Sequence, residues 1–174
     1  MKATFITLLI LTGISAVVFG PRIFKDIKKK RNYENTYAIQ NVGNRKDIRV
    51  YNAENADQTK IILYSHNNWE CITWQLIELE ENTYLLKNLY TQKTFQPASV
   101  PQSGVNLWQQ TLGGSLFQYW EFLKQPDETY LIRLKDTELY ITATSNEDNS
   151  DLILMPIQDS DNQKWRLIRQ NPII

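Results

Sequence analysis

The sequence predicts an all-β domain in which one four-stranded unit is repeated three times and closed into a single barrel. Two markers recur in step. The phrase Glu34-Asn35-Thr36-Tyr37 returns as Glu81-Asn82-Thr83-Tyr84 and as Asp127-Glu128-Thr129-Tyr130, so the tyrosines fall 47 and then 46 positions apart. Trp74, Trp120 and Trp165 keep the same beat, each followed two residues later by an apolar side chain: Leu76, Phe122 and Leu167. A fixed period of this length is the signature of stacked supersecondary units, none of which buries a core alone. The third observation is period-2 alternation of apolar and polar residues after Tyr37, interrupted by turn-rich stretches and without competing helical periodicity.

Each unit divides into four short strands. The first carries Tyr37, Ile39 and Asn41 on one face, matched by Tyr84, Leu86 and Asn88, then by Tyr130, Ile132 and Leu134. Eleven residues after each tyrosine comes a second apolar strand position: Ile48, Phe95 and Ile141. A third run follows at Ile61 to Tyr64, Val105 to Trp108 and Leu152 to Met155, and the fourth begins at the periodic tryptophan. Turn composition separates them, as in Asn52-Ala53-Glu54-Asn55-Ala56-Asp57 and Asn146-Glu147-Asp148-Asn149-Ser150. Three such units pool their apolar faces and pair their edges when they close around a common axis. The three tryptophans are expected in the shared core.

Residues 1–32 read differently. Ala3 to Gly20 is uncharged, with Lys2 in front and Arg22, Lys25, Lys28, Lys29, Lys30 and Arg31 behind. As a helix of 1.5 Å per residue it would extend about 27 Å, close to the hydrocarbon thickness of a bilayer. Residues 1–20 are expected to form one N-terminal hydrophobic helix, either a retained transmembrane anchor or a cleaved signal peptide. Ala16 is a tolerable cleavage point, but Ile14 before it is not small. Residues 21–32 form a basic linker suited to anionic head groups. The expected location is therefore at a membrane, or outside the cell where the segment is cleaved. The folded body spans 33–174, with repeats at about 33–79, 80–125 and 126–170.

Composition narrows the function classes. Lys plus Arg number 19 and Asp plus Glu 19, so the chain has no net charge to steer it toward nucleic acid. Cys71 and His66 are each the only one of their kind, which leaves no disulfide, no zinc-ligand cluster and no evident nucleophile–base pair. Gly113-Gly114 lacks the Lys-Ser/Thr of a phosphate loop. The expectation is a monomeric, non-catalytic protein without cofactor or metal and without a nucleic-acid partner.

Gln118-Tyr119-Trp120 and Gln163-Lys164-Trp165 resemble the Gln-x-Trp motif of ricin-type β-trefoil domains, over roughly residues 33–170. Ile72-Thr73-Trp74 departs from the motif. The resemblance implies a β-trefoil, a glutamine that braces the fold, and a shallow sugar pocket in each unit. In such a pocket an acidic residue of the second strand accepts hydrogen bonds from sugar hydroxyls, an aromatic ending the third strand covers the ring, and an amide fixes orientation. Carried over, the acidic position falls on Arg49, Gln96 and Thr142. The aromatic position falls on Tyr64, Trp108 and Met155, and the amide on Cys71, Phe117 and Asn162. No unit is complete. The second offers Trp108 with Gln96, Gln109 and Gln110; the first offers Tyr64 with Asn67, Asn68 and a possible carboxylate in Asp47. Trp108, Gln96, Gln109, Tyr64, Asp47 and Asn67 are thus the expected carbohydrate-binding residues of a weak lectin-like module that binds a glycan or glycoprotein. The missing carboxylates equally suit a membrane-tethered trefoil that has lost sugar binding and serves as a protein-interaction module.

Overall fold

A computed structural model describes residues 34–172 of the chain. The hydrophobic segment 1–20, the whole of the basic linker 21–32 and residue 33 lie outside the described residues. No described helix is long and apolar enough to cross a membrane.

Twelve strands follow one another: β1 (Thr36–Asn41), β2 (Lys46–Val50), β3 (Ile61–Ser65), β4 (Thr73–Glu80), β5 (Thr83–Asn88), β6 (Thr94–Pro97), β7 (Leu107–Gln110), β8 (Tyr119–Lys124), β9 (Tyr130–Leu134), β10 (Tyr140–Ala143), β11 (Leu152–Met155) and β12 (Lys164–Arg169). Six of them close a barrel, all antiparallel, in the order β1, β4, β5, β8, β9, β12 and back to β1. The other six form hairpins β2–β3, β6–β7 and β10–β11. Single bridges Lys60 to Trp108, Asn106 to Ile153 and Asp151 to Ile62 link the hairpins cyclically into a cap. Closure removes the free sheet edges that three separate units would expose.

The repeated phrase has a local cause. Its second residue takes a positive φ in every copy: Asn35 at 54°, Asn82 at 59° and Glu128 at 63°. Asparagine tolerates the left-handed region well, and this turn sets the register of the strand that follows. The threonine after it is buried each time.

The core is threefold. Trp74, Trp120 and Trp165 are fully buried among Ile39, Ile48, Leu86, Phe95, Ile132 and Ile141. Trp74 Nε1 donates to the Ile48 carbonyl at 2.9 Å, and Trp165 Nε1 to the Ile141 carbonyl at 3.1 Å. In the second unit Phe95 replaces the isoleucine and packs 5.0 Å from Trp120, whose Nε1–H is buried without a partner. Gln118 and Gln163 brace their units, as the motif implies. Gln163 accepts from Gln158 N at 2.7 Å and donates to Thr142 Oγ1 and the Pro156 carbonyl, both at 2.9 Å. Gln118 accepts from Gly113 N and donates to Gln96 Oε1, both at 3.0 Å, and to the Thr111 carbonyl at 3.1 Å.

The second hairpin differs from its expected alignment. Ile48 faces Leu63, Ile141 faces Leu154, and Phe95 faces Gln109. Gln109 therefore matches Leu63, and Trp108 matches Ile62 and Ile153. The counterpart of Tyr64 and Met155 is Gln110, two residues past Trp108. A two-residue slip leaves inward and outward faces unchanged, so alternation alone cannot reveal it.

Candidate functional site

The outer face of the β2–β3 hairpin gathers the chemistry of the first unit. Asp47 stands directly opposite Tyr64, and Arg49 lies two residues along the same strand face. The Arg49 guanidinium carbon sits 4.2 Å from the Tyr64 ring centre and 5.4 Å from that of Trp69, on the loop between β3 and β4. The two rings are 6.2 Å apart and inclined at 35°. They form a notch with the cation against both walls. A cation over an aromatic face contributes on the order of 0.5–2 kcal/mol, more where it is desolvated.

The absent glutamine explains why Arg49 is free to lie there. In the second and third units the residue at this position, Gln96 or Thr142, is hydrogen-bonded by the motif glutamine. The first unit has Ile72 instead, fully buried and without a polar group. Arg49 forms no ion pair among the described residues, and its Nε–H is buried without an acceptor. A buried donor left unpaired costs about 1–3 kcal/mol.

Asp47 is on the expected face but is not open to a ligand. It is fully buried; its Oδ1 accepts from Gln40 Nε2 at 3.2 Å, and its Oδ2 lies 2.7 Å from His66 Nδ1. Its role is to orient His66, whose ring is exposed and whose Nε2 is unengaged among the described residues. Asn67 likewise turns inward on its own loop, donating to the Ser65 carbonyl at 3.0 Å.

Burial pushes the Asp47 carboxyl above its ordinary value of 3.8, although the charge of His66 and the hydrogen bonds from His66 and Gln40 act against it. The folded chain thus favours the protonated form. That contribution to stability is fully present below the unfolded value and is lost as pH rises through the folded one. At neutral pH the buried carboxylate weakens the fold. Asp47→Asn is therefore expected to raise the urea midpoint at pH 7, with the gap closing as pH falls through the folded value toward 3.8. Unfolding curves from pH 7 to pH 3 check this, and a lower midpoint for the variant at every pH would contradict it.

The second unit places its expected residues on two different faces. Trp108 is half-buried on the outer face of the cap, opposite Gln96 and bridged to Lys60. Gln96 Oε1 is taken by Gln118, while its amide NH2 group has no partner among the described residues. Gln109 is fully buried on the other side of the strand, where it donates to the Glu54 and Ala56 carbonyls at 3.0 and 2.8 Å. It braces a loop and does not reach a ligand surface. Gln110, at the Tyr64 position, bonds Asp57, which Lys93 and Thr111 also hold. In the third unit Met155 occupies that position and no aromatic ring replaces it. Tyr64 and Trp108 are therefore separate features and not copies of one pocket. Arg49, His66 and Trp69 are the contributors that motif matching passed over. Trp69 had one signal: with Trp108 it is one of two tryptophans off the 46-residue beat.

No protein-family model matches this chain, and no curated protein sequence matches it. Solved structures do. A designed threefold-symmetric protein, ThreeFoil, superposes with a TM-score of 0.75 at 23% identity, over 78% of this chain and 99% of its own. The fold is a β-trefoil. The Rhizoctonia solani agglutinin matches this trefoil with a TM-score of 0.70 at 21% identity, over 78% of this chain and 95% of its own. A Macrolepiota procera ricin B-like lectin, solved in complex with lactose, matches it with a TM-score of 0.67 at 16% identity, over 77% and 94% of the two chains. Among the described residues no cluster of three or more His, Cys, Asp or Glu side chains is placed to hold a metal ion.

Proposed function

We propose that this trefoil is a weak carbohydrate-binding, lectin-like module whose working site is the Tyr64–Trp69–Arg49 notch of the first unit. The observation that carries the reading is the notch itself. Partly exposed aromatic walls stand beside hydrogen-bonding groups that the fold leaves unused, on Arg49 and on the outer nitrogen of His66. A sugar ring has apolar C–H faces and a polar rim, and this surface offers both kinds of contact. Arg49 already covers one face of Tyr64, so Trp69 is the principal stacking wall. The outward Trp108, with the amide of Gln96, is a second and smaller platform on the neighbouring unit. One shallow site of this kind suits dissociation constants of about 1 mM, equivalent to roughly 4 kcal/mol.

Titration of the full chain with neutral and acidic mono- and disaccharides, followed by tryptophan fluorescence and calorimetry, tests the reading. Trp69→Ala is expected to weaken binding about tenfold or more, roughly 1.4 kcal/mol, and Trp108→Ala to weaken it less. Absence of binding by any of these sugars at tens of millimolar would end it. The uncharged run Ala3–Gly20 supports a membrane tether for the module. Carbonate extraction of tagged full-length chain checks the tether, and release into the supernatant is the result against it.

A further inference from the structure

We propose that Arg49 makes the first unit selective for sugars bearing a carboxylate, the uronic-acid class. This rests on the carbohydrate-binding reading above and names the ligand for the same site.

Three observations lead to it. Stacking on Tyr64 and Trp69 occupies the flat face of the guanidinium and leaves its in-plane N–H groups to find acceptors. Within the described residues they find none, and the buried Nε–H is one of them. The two Nη nitrogens, which unlike Nε are not among the buried unpaired atoms, present two parallel donors at the spacing of the two oxygens of a carboxylate, a fit that a single hydroxyl oxygen cannot supply. Second, the position is occupied by neutral Gln96 and Thr142 in the other two units, so the cation belongs to this unit alone. Third, the neighbouring carboxylate does not compete for it. Asp47 is committed to Gln40 and His66, and its contact with Nδ1 leaves the His66 ring exposed. A ring bearing a carboxylate would lie with its apolar face toward Trp69 and its acid group edge-on to Arg49.

Glucuronic acid and glucose differ only at C6, which makes them the discriminating pair. At low ionic strength the full chain is expected to bind glucuronate at least tenfold more tightly than glucose. Arg49→Gln should reduce that preference to below twofold. Arg49→Lys keeps the charge but loses the fork, and should lower the preference at least threefold; it serves if the glutamine variant proves unstable in a thermal melt. Equal binding of the two sugars by the wild-type chain would overturn the proposal and leave the carbohydrate-binding reading standing. So would a preference that survives Arg49→Gln. Glucose 6-sulfate binding as tightly as glucuronate would overturn the carboxylate assignment. Failure of every sugar to bind would remove both readings.

Discussion

Trp74→Ala is expected to destabilise the domain by about 3–5 kcal/mol, the range for truncating a fully buried large aromatic. The indole is completely enclosed, meets Phe95 edge-on at 5.0 Å, and donates to the Ile48 carbonyl at 2.9 Å. Truncation leaves a cavity at the centre of the barrel and orphans that carbonyl at the same time. For a domain of this size the loss corresponds to a fall in melting temperature on the order of 10 °C. Thermal and urea unfolding check it, and a loss below about 1 kcal/mol would show that the indole does not anchor the core.

The same trio yields a sharper comparison. Trp74→Phe removes a hydrogen bond and strands its acceptor, whereas Trp120→Phe removes a donor that is already unpaired. Both substitutions lose similar volume. Trp74→Phe is therefore expected to be the more costly by about 1 kcal/mol or more. Equal urea midpoints for the two variants would contradict this. The asymmetry traces to Phe95, which sits where the other units have isoleucine and packs against Trp120.

Periodicity in the sequence carries the fold because each marker has a local physical duty. The Glu-Asn-Thr-Tyr phrase needs a left-handed residue at its second position, and the tryptophan needs a core to enter. The Gln-x-Trp glutamine needs backbone partners within its own turn. The first two requirements repeat in every unit and the third in two of them, so they stand out against unrelated drift. The candidate site lacked that advantage. Gln109 occupies an interior position that is leucine in the other units, and its polarity hid the two-residue offset that separates Trp108 from the Tyr64 position. It is tolerated there because two loop carbonyls accept from its amide. The Arg49 notch was less accessible still. It depends on what Ile72 fails to supply, and a missing hydrogen bond leaves no pattern in a sequence. Asp47 was visible as a carboxylate on the correct face, but its burial beneath His66 follows from three-dimensional packing alone.

Gln163→Ile would impose the first unit's chemistry on the third, and a loss of about 2–4 kcal/mol is expected. The wild-type side chain is fully buried and satisfies three partners: the Gln158 amide, the Pro156 carbonyl and the Thr142 hydroxyl. Isoleucine replaces none of these bonds. The Gln158 amide and Pro156 carbonyl both belong to the loop that carries the chain from β11 to β12, so that loop loses its anchor from within. The first unit survives the same residue because its loop is held otherwise: Thr73 Oγ1 donates to the Trp69 carbonyl at 2.8 Å, and Asn88 Nδ2 to the Cys71 carbonyl at 3.1 Å. The third unit also has an asparagine brace, Asn41 Nδ2 donating to the Asp161, Asn162 and Lys164 carbonyls at 3.2, 3.0 and 3.2 Å. These carbonyls lie past Gln158 and Pro156, the groups that Gln163 alone holds among the described residues, and Leu134 leaves the second unit's loop without such a brace. Gln163→Glu separates hydrogen bonding from size, since the carboxylate still accepts from Gln158 but cannot donate to Pro156 or Thr142. It should fall below wild type at pH 7. Urea unfolding of both variants, with amide exchange at Gln158 as a local readout, decides the matter. If Gln163→Ile is as stable as the wild-type chain, the motif glutamine packs the turn without bracing it, and Ile72 then ceases to explain the freedom of Arg49.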